Sequence, residues 1–271
     1  MKLYETHMHT PLCNHARGEP EEYARAAAAL GFQGVIVTCH NPLPEGYSPK
    51  VRMRPDQLPE YLALVERARL ACAGTVEVRL GLEADYLPGL EDFLRRQLDS
   101  APFDYVLGSV HHHTPEYLER YWTGDSLAFQ RFYFEHLAMA AETGLFDCLA
   151  HPDLIKNHRP ESWNPERLLP VIRSCLDRIA AAGTAMELNT SGRYKTVPEM
   201  NPGRPILEEM LARNIPVVVG ADAHSPDRVG EGYETAFELL EEVGYRSVTV
   251  FLGRRPREIE ISACLRPGKR K

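Results

Sequence analysis

Nowhere in its 271 residues does the chain hold an apolar run approaching the roughly 18 residues that cross a bilayer. Its start, Met1-Lys2-Leu3-Tyr4-Glu5, lacks the charged-then-apolar pattern of a secretory signal, so a cytoplasmic protein is expected. Closely spaced cysteines are missing too. The six (Cys13, Cys39, Cys72, Cys148, Cys175 and Cys264) are never nearer than 26 positions, which excludes a CxxC zinc knuckle or redox motif and predicts reduced, buried thiols. There is no basic excess: 38 acidic against 31 basic residues give a formal charge of −7, so neither duplex DNA nor an anionic membrane is an expected partner. A G-x-S-x-G nucleophile elbow is absent, and no low-complexity linker divides the chain. With 44% hydrophobic and 25% charged residues, a sizeable core is available.

What is present is alternation. Short apolar, β-branched runs at 2–6, 34–39, 76–82, 105–110, 147–150, 185–188, 216–220 and 247–252 are separated by stretches of helical period. The clearest helices are 21–30 stopped by Gly31, 58–73 stopped by Gly74, and 127–143 with Ser126 as N-cap and Gly144 as stop. Others are expected at 89–97, 166–182, 204–213 and 233–242. Seven or eight consecutive βα units fit a closed parallel barrel better than an open sheet, so residues 1–271 read as one domain. The Pro-rich insertion 41–59, carrying Arg52 and Arg54, is long for a βα connection and is placed to act as a lid.

The eleven histidines are gathered rather than scattered. The first strand runs into His7-Met8-His9, with His15 soon after; the second into Cys39-His40; the third into Glu83-Ala84-Asp85. The fourth runs into His111-His112-His113, the fifth into His151-Pro152-Asp153, and the seventh into Asp222-Ala223-His224. In a parallel barrel all strand C-terminal ends share one face, so these side chains converge. Positions i and i+2 of an extended segment point the same way, which lets His7 and His9 address one ion and Asp222 and His224 one site. Each motif alone has a plain structural explanation, a helix cap or a turn, and the weight lies in six strand ends supplying His, Asp or Glu together. Imidazole and carboxylate suit Zn²⁺, Fe²⁺ or Mn²⁺, and nine candidate ligands call for two or three ions. His136, at helical spacing with Phe129, Phe132 and Tyr133, reads as packing, and His112 points away from His111 by alternation.

As a set, His7-Met8-His9, His15, His40, Gly81-Leu82-Glu83, Gly108-Ser109-Val110-His111, His151-Pro152-Asp153 and Asp222-Ala223-His224 resemble the polymerase and histidinol phosphatase (PHP) superfamily of metal-dependent phosphoesterases. That resemblance implies a distorted, seven-stranded TIM-like (β/α)7 barrel, with the last candidate strand outside it. It also implies three divalent ions: one on His7, His9, Glu83 and Asp222, a second on His15, His40 and His224, and a third on Glu83, His111 and His151. Gly81-Leu82-Glu83-Ala84-Asp85-Tyr86, Phe103 to His111, Phe146-Asp147, His151 to Lys156 and Glu187-Leu188-Asn189-Thr190-Ser191-Gly192 are similar to the monofunctional histidinol-phosphate phosphatases. The implied reaction is hydrolysis of L-histidinol phosphate to L-histidinol and phosphate in histidine biosynthesis, by a hydroxide bridging metal ions, with Glu83, Asp222 and His224 catalytic. Cys39 departs from the pattern, since relatives commonly carry Asp before that His.

Clustered cations would neutralise the phosphate oxygens and lower the pKa of a bound water to about 7. Arg193 after the sixth strand, and Lys156 and Arg159 after the fifth, are the candidate phosphate-binding cations, with His113 and His158 as further substrate contacts. Asp222, His113 and a metal-bound water are the candidate proton donors to the leaving alkoxide. Competing readings are a nucleotide-directed phosphoesterase of the same superfamily, an amidohydrolase and an inactive metal-stabilised scaffold. Amidohydrolase barrels place a bridging Lys at a strand end, and none of the six lysines here does so.

Overall fold

The computed structural model describes residues 3–44 and 46–264. Seven parallel strands, β1 (Tyr4–Glu5), β2 (Gly34–Val37), β3 (Glu77–Asp85), β4 (Tyr105–Ser109), β5 (Cys148–Leu149), β6 (Ala185–Asn189) and β7 (Val217–Gly220), pair strictly in sequence order. Lys2, expected to open the first strand, lies outside the described residues. The two edges of the sheet meet just past the strands, where His9 N donates to Ala223 O at 2.9 Å and Ala223 N to His7 O at 2.9 Å. This nearly closes the distorted barrel that the resemblance implied.

Period-two alternation sorts the strand side chains into two cores. Val35, Val37, Leu80, Leu82, Val106, Leu188 and Val219 face outward into the large cluster shared with the helices. Tyr4, Ile36, Tyr105, Leu107, Cys148, Ala185 and Val218 fill the barrel interior. The eighth expected strand, β8 (Ser247–Leu252), does lie outside the barrel. It forms an antiparallel hairpin with β9 (Arg255–Glu260), a strand the sequence reading missed because its side chains are almost all exposed and carry no apolar alternation. Val250 and Phe251 join the interior cluster, and the Phe251 ring stacks on Tyr105 at 5.7 Å.

Helices α1 (Pro20–Leu30), α2 (Leu58–Ala71), α3 (Glu91–Leu98), α4 (Pro115–Tyr121), α5 (Ser126–Glu142), α6 (Pro165–Ala182), α7 (Arg204–Ala212), α8 (Tyr233–Val243) and α9 (Ile261–Cys264) complete the fold, α4 and α9 being unforeseen. Gly31, at φ 81°, ends α1 as expected. Asp125, not Ser126, caps α5: its carboxylate accepts from Leu127 N and Ala128 N at 2.9 and 3.1 Å, and Ser126 is already helical. No helix among the described residues is long and apolar enough to cross a membrane.

Candidate metal centre

The strand C-terminal ends deliver the expected side chains to one face, but not all from loops. β3 runs three residues further than its apolar run because residues 81–85 pair with residues 105–109 of β4, so Glu83 is held inside the ladder. It is fully buried, and imidazoles surround both of its oxygens. Oε2 lies 2.7 Å from His40 Nδ1, 3.6 Å from His7 Nε2 and 3.7 Å from His9 Nε2. Oε1 lies 3.2 Å from His151 Nε2 and 3.5 Å from His111 Nε2. Asp222 Oδ1 lies 3.1 Å from His9 Nε2 and 3.7 Å from His7 Nε2.

The tautomers follow from what sits behind each ring. Acceptor-only groups hold Nδ1 of His7 (Glu187 Oε1, 2.7 Å), His111 (Asp85 Oδ1, 2.7 Å), His15 (Cys13 O, 2.8 Å) and His224 (Asp222 O, 3.0 Å). In the neutral form each of these rings carries its hydrogen on Nδ1 and turns a bare Nε2 lone pair toward the centre. His15 Nε2 and His224 Nε2 face each other at 2.9 Å, and with both rings neutral these are two lone pairs with no proton between them. Buried His7 Nε2, His40 Nδ1 and Glu83 Oε2 likewise have no aligned hydrogen-bond partner. Unsatisfied buried acceptors converging on one point are costly unless a cation sits among them, so the donor set fits bound metal. Burial holds His40 at about 4 and His224 at about 3, leaving both rings neutral at pH 7, the form that ligates.

The donor atoms fall into overlapping groups, each within 4.8 Å: His7, His9 and Asp222; His9, His40 and His224; His40, Glu83 and His111. His40 thus stands between two groups rather than in one. Two of the nine residues have left-handed backbone, His151 at φ 28° and Asp222 at φ 51°, a strain that non-glycine residues adopt mainly where function demands it. Close packing behind the site explains Gly220: a Cβ there would fall on Glu187 Oε1 and within 2.7 Å of the His7 Cβ.

The sequence names Glu187, Asp85 and Arg52 without their supporting roles. Glu187 links His7 to His151, whose backbone N–H it accepts at 2.9 Å. Asp85 accepts from His111, from Ser109 Oγ at 2.8 Å, and from Arg52 Nη2 at 2.6 Å. Arg52 is 2% exposed and also donates to Asn41 O at 3.1 Å, so the 41–59 insertion is fastened to the site by a buried ion pair. Asp85→Asn should lower metal affinity about 10- to 100-fold by releasing the His111 ring. Titrating zinc against a chromophoric chelator measures this.

The three expected phosphate cations, Lys156, Arg159 and Arg193, are not among the residues that line the cleft over the metal face. Lys156 is fully buried, its Nζ donating to Asp153 Oδ2 and Glu199 Oε1 at 3.1 Å and to Met200 O at 2.8 Å, so it knots the chain after β5 to that before α7. Arg159 lies over the Trp122 ring at 4.8 Å and Arg193 against Tyr194 at 5.6 Å. His158 packs on Trp122 and Phe129, and His112 on Phe129 and Tyr133, the latter as alternation predicts. His136 is packing too, bonded to Tyr117 OH at 2.7 Å. The cleft over the metal face, about 350 Å³, is lined instead by Lys195, Arg52 and His113 together with the metal-site residues. With Arg52 committed to Asp85, Lys195 is the remaining Lys or Arg among the described residues that line the cleft; its Nζ lies 4.0 Å from Asp222 Oδ2.

Residues 5–191 match the family model described as PHP domain. The chain is 40% identical over 253 residues to a protein of Deinococcus radiodurans named probable histidinol-phosphatase, covering 91% of this chain and 96% of that one. It is 26% identical over 267 residues to the histidinol-phosphatase of Bacillus subtilis, covering 88% and 99%. Its fold is that of the histidinol phosphate phosphatase of Lactococcus lactis, crystallised with zinc, L-histidinol and phosphate: the TM-score is 0.80 at 20% identity, over 94% of this chain and 99% of that one. The family model spans more than half of the chain and the 40% identity extends over 91% of it, and the chain belongs to the PHP domain family.

Proposed function

We propose that this chain is a metal-dependent phosphomonoesterase that hydrolyses L-histidinol phosphate to L-histidinol and inorganic phosphate. The observation that carries the reaction class is Glu83, a fully buried carboxylate with imidazoles ranged along both oxygens. The 40% identity with the Deinococcus radiodurans protein supports the substrate.

Three divalent ions, of zinc, iron or manganese, would be held by His7, His9, Glu83 and Asp222; by His15, His40 and His224; and by Glu83, His111 and His151. Bound there, they supply positive charge against the phosphate oxygens and lower the pKa of coordinated water to about 7. The chain's own part is positioning. Glu187 and Asp85 fix the rings of His7 and His111, so the donors are in place before substrate arrives. Lys195 offers the phosphate a mobile cation at the mouth of the cleft. His113 is held at about 3 by burial and by neighbouring His111, which makes it a neutral hydrogen-bonding contact at pH 7 rather than a proton donor.

The test is a substrate panel. Histidinol phosphate should be turned over with a kcat/KM well above that for nucleoside monophosphates and short oligonucleotides. Equal or better turnover of the nucleotides would overturn the assignment of substrate.

A further inference from the structure

Cys13 and Cys39, 26 positions apart, are brought together by the fold. Cys13 ends the 3-10 turn Pro11–Cys13 that follows β1, Cys39 follows β2, and both side chains are fully buried. Their sulfurs and a ring nitrogen of His9 lie within 4.8 Å of one another, and the Cys13 sulfur lies equally close to ring nitrogens of His15 and His224. Cys39 Sγ is held in place by Thr10, whose N–H and Oγ1–H donate to it at 3.4 and 3.2 Å. His9 Nδ1 is buried with no hydrogen-bond partner among the described residues. The remaining thiols, Cys72, Cys148, Cys175 and Cys264, are also buried, but none of them joins a cluster of candidate ligands.

We propose that Cys13 and Cys39 form a reversible oxidation site, closing to a disulfide when a peroxide enters from the metal face, and that closure disables the adjoining metal centre. The second half rests on the metal-dependent reading above; the first does not. In the first step one sulfur attacks the peroxide: an S–O bond forms, the O–O bond breaks, and water leaves. The second sulfur then attacks the resulting sulfenic acid: the S–S bond forms, the S–O bond breaks, and a second water leaves. Two thiols are oxidised and one peroxide is reduced.

The coupling to the metal site is geometric. A disulfide requires the sulfurs to approach to about 2.05 Å, which draws the Cys13 turn toward β2. The carbonyl of Cys13 is the acceptor that orients His15, at 2.8 Å, so moving the turn turns that ring out of register. His9 loses its neighbouring thiols at the same moment.

The test uses the full-length, metal-loaded chain treated with hydrogen peroxide, alkylated under denaturing conditions, and followed by peptide mass spectrometry and elemental analysis. The expected result is a Cys13–Cys39 linked peptide, the six free thiols reduced by two, and a loss of bound metal that dithiothreitol with resupplied metal reverses. Cys39→Ser should form no such link and should keep more of its metal under the same treatment. Absence of the linked peptide in the wild type, or over-oxidation of both sulfurs to sulfinic acids in its place, would overturn the proposal without reference to any variant. A linked peptide formed with full retention of metal would overturn the coupling alone.

Discussion

Glu83→Gln should lower kcat/KM for histidinol phosphate by at least about 10³-fold, which corresponds to about 4 kcal/mol of transition-state stabilisation. The substitution keeps the shape of the side chain and removes its charge. It also turns an amide N–H toward one of the two sets of ring nitrogens, because the carboxylate uses Oε2 toward His7, His9 and His40 and Oε1 toward His111 and His151. Complete burial means that no water can replace the lost acceptor. Elemental analysis of the variant should show fewer bound ions than the wild type, with the circular dichroism spectrum unchanged. Retention of more than about a tenth of the activity would remove Glu83 from the centre of the account.

The second large effect belongs to a residue that sequence reasoning passed over. Lys195→Ala should reduce kcat/KM about 10- to 100-fold, the range for losing a charge-assisted hydrogen bond of about 1.5–3 kcal/mol. The Lys195→Arg variant should recover part of the loss. Steady-state kinetics with inorganic phosphate as a competitive inhibitor separate the causes: if Lys195 holds the phosphate group, the inhibition constant rises in step with the loss. An unchanged inhibition constant would place Lys195 outside the phosphate site.

The convergence of the candidate metal ligands was legible because barrel topology converts sequence position into spatial position: a side chain at a strand's C-terminal end must lie on the common face. His7, His9, His40, His111, His151, Asp222 and His224 all follow from that rule. Glu83 follows from it too, although the pairing of β3 with β4 carries its strand past the apolar run. The supporting network was not legible because its partners are chosen in three dimensions. Glu187 meets His7 across 180 positions, and Arg52 meets Asp85 from within an irregular insertion. Cys13 and Cys39 escaped for the same reason.

Local geometry decides which basic residues line the cleft. The reading picked Arg193 as the basic residue after β6, but residues 190–194 form a 3-10 turn. Lys195, just beyond that turn, is extended, and its side chain is the one that lines the cleft. Lys156 looked like a rim cation, yet Asp153 and Glu199 together with the carbonyl of Met200 satisfy it in the interior. A charged residue beside a site is informative only once its partners are known.

The most direct test of metal-dependent histidinol phosphate hydrolysis is to strip the protein with a chelator, then follow phosphate release and bound metal together as zinc or manganese is returned. The account predicts no turnover from the stripped chain and recovery that rises with occupancy toward three ions per chain. Stripped protein that hydrolyses histidinol phosphate at the untreated rate would contradict it.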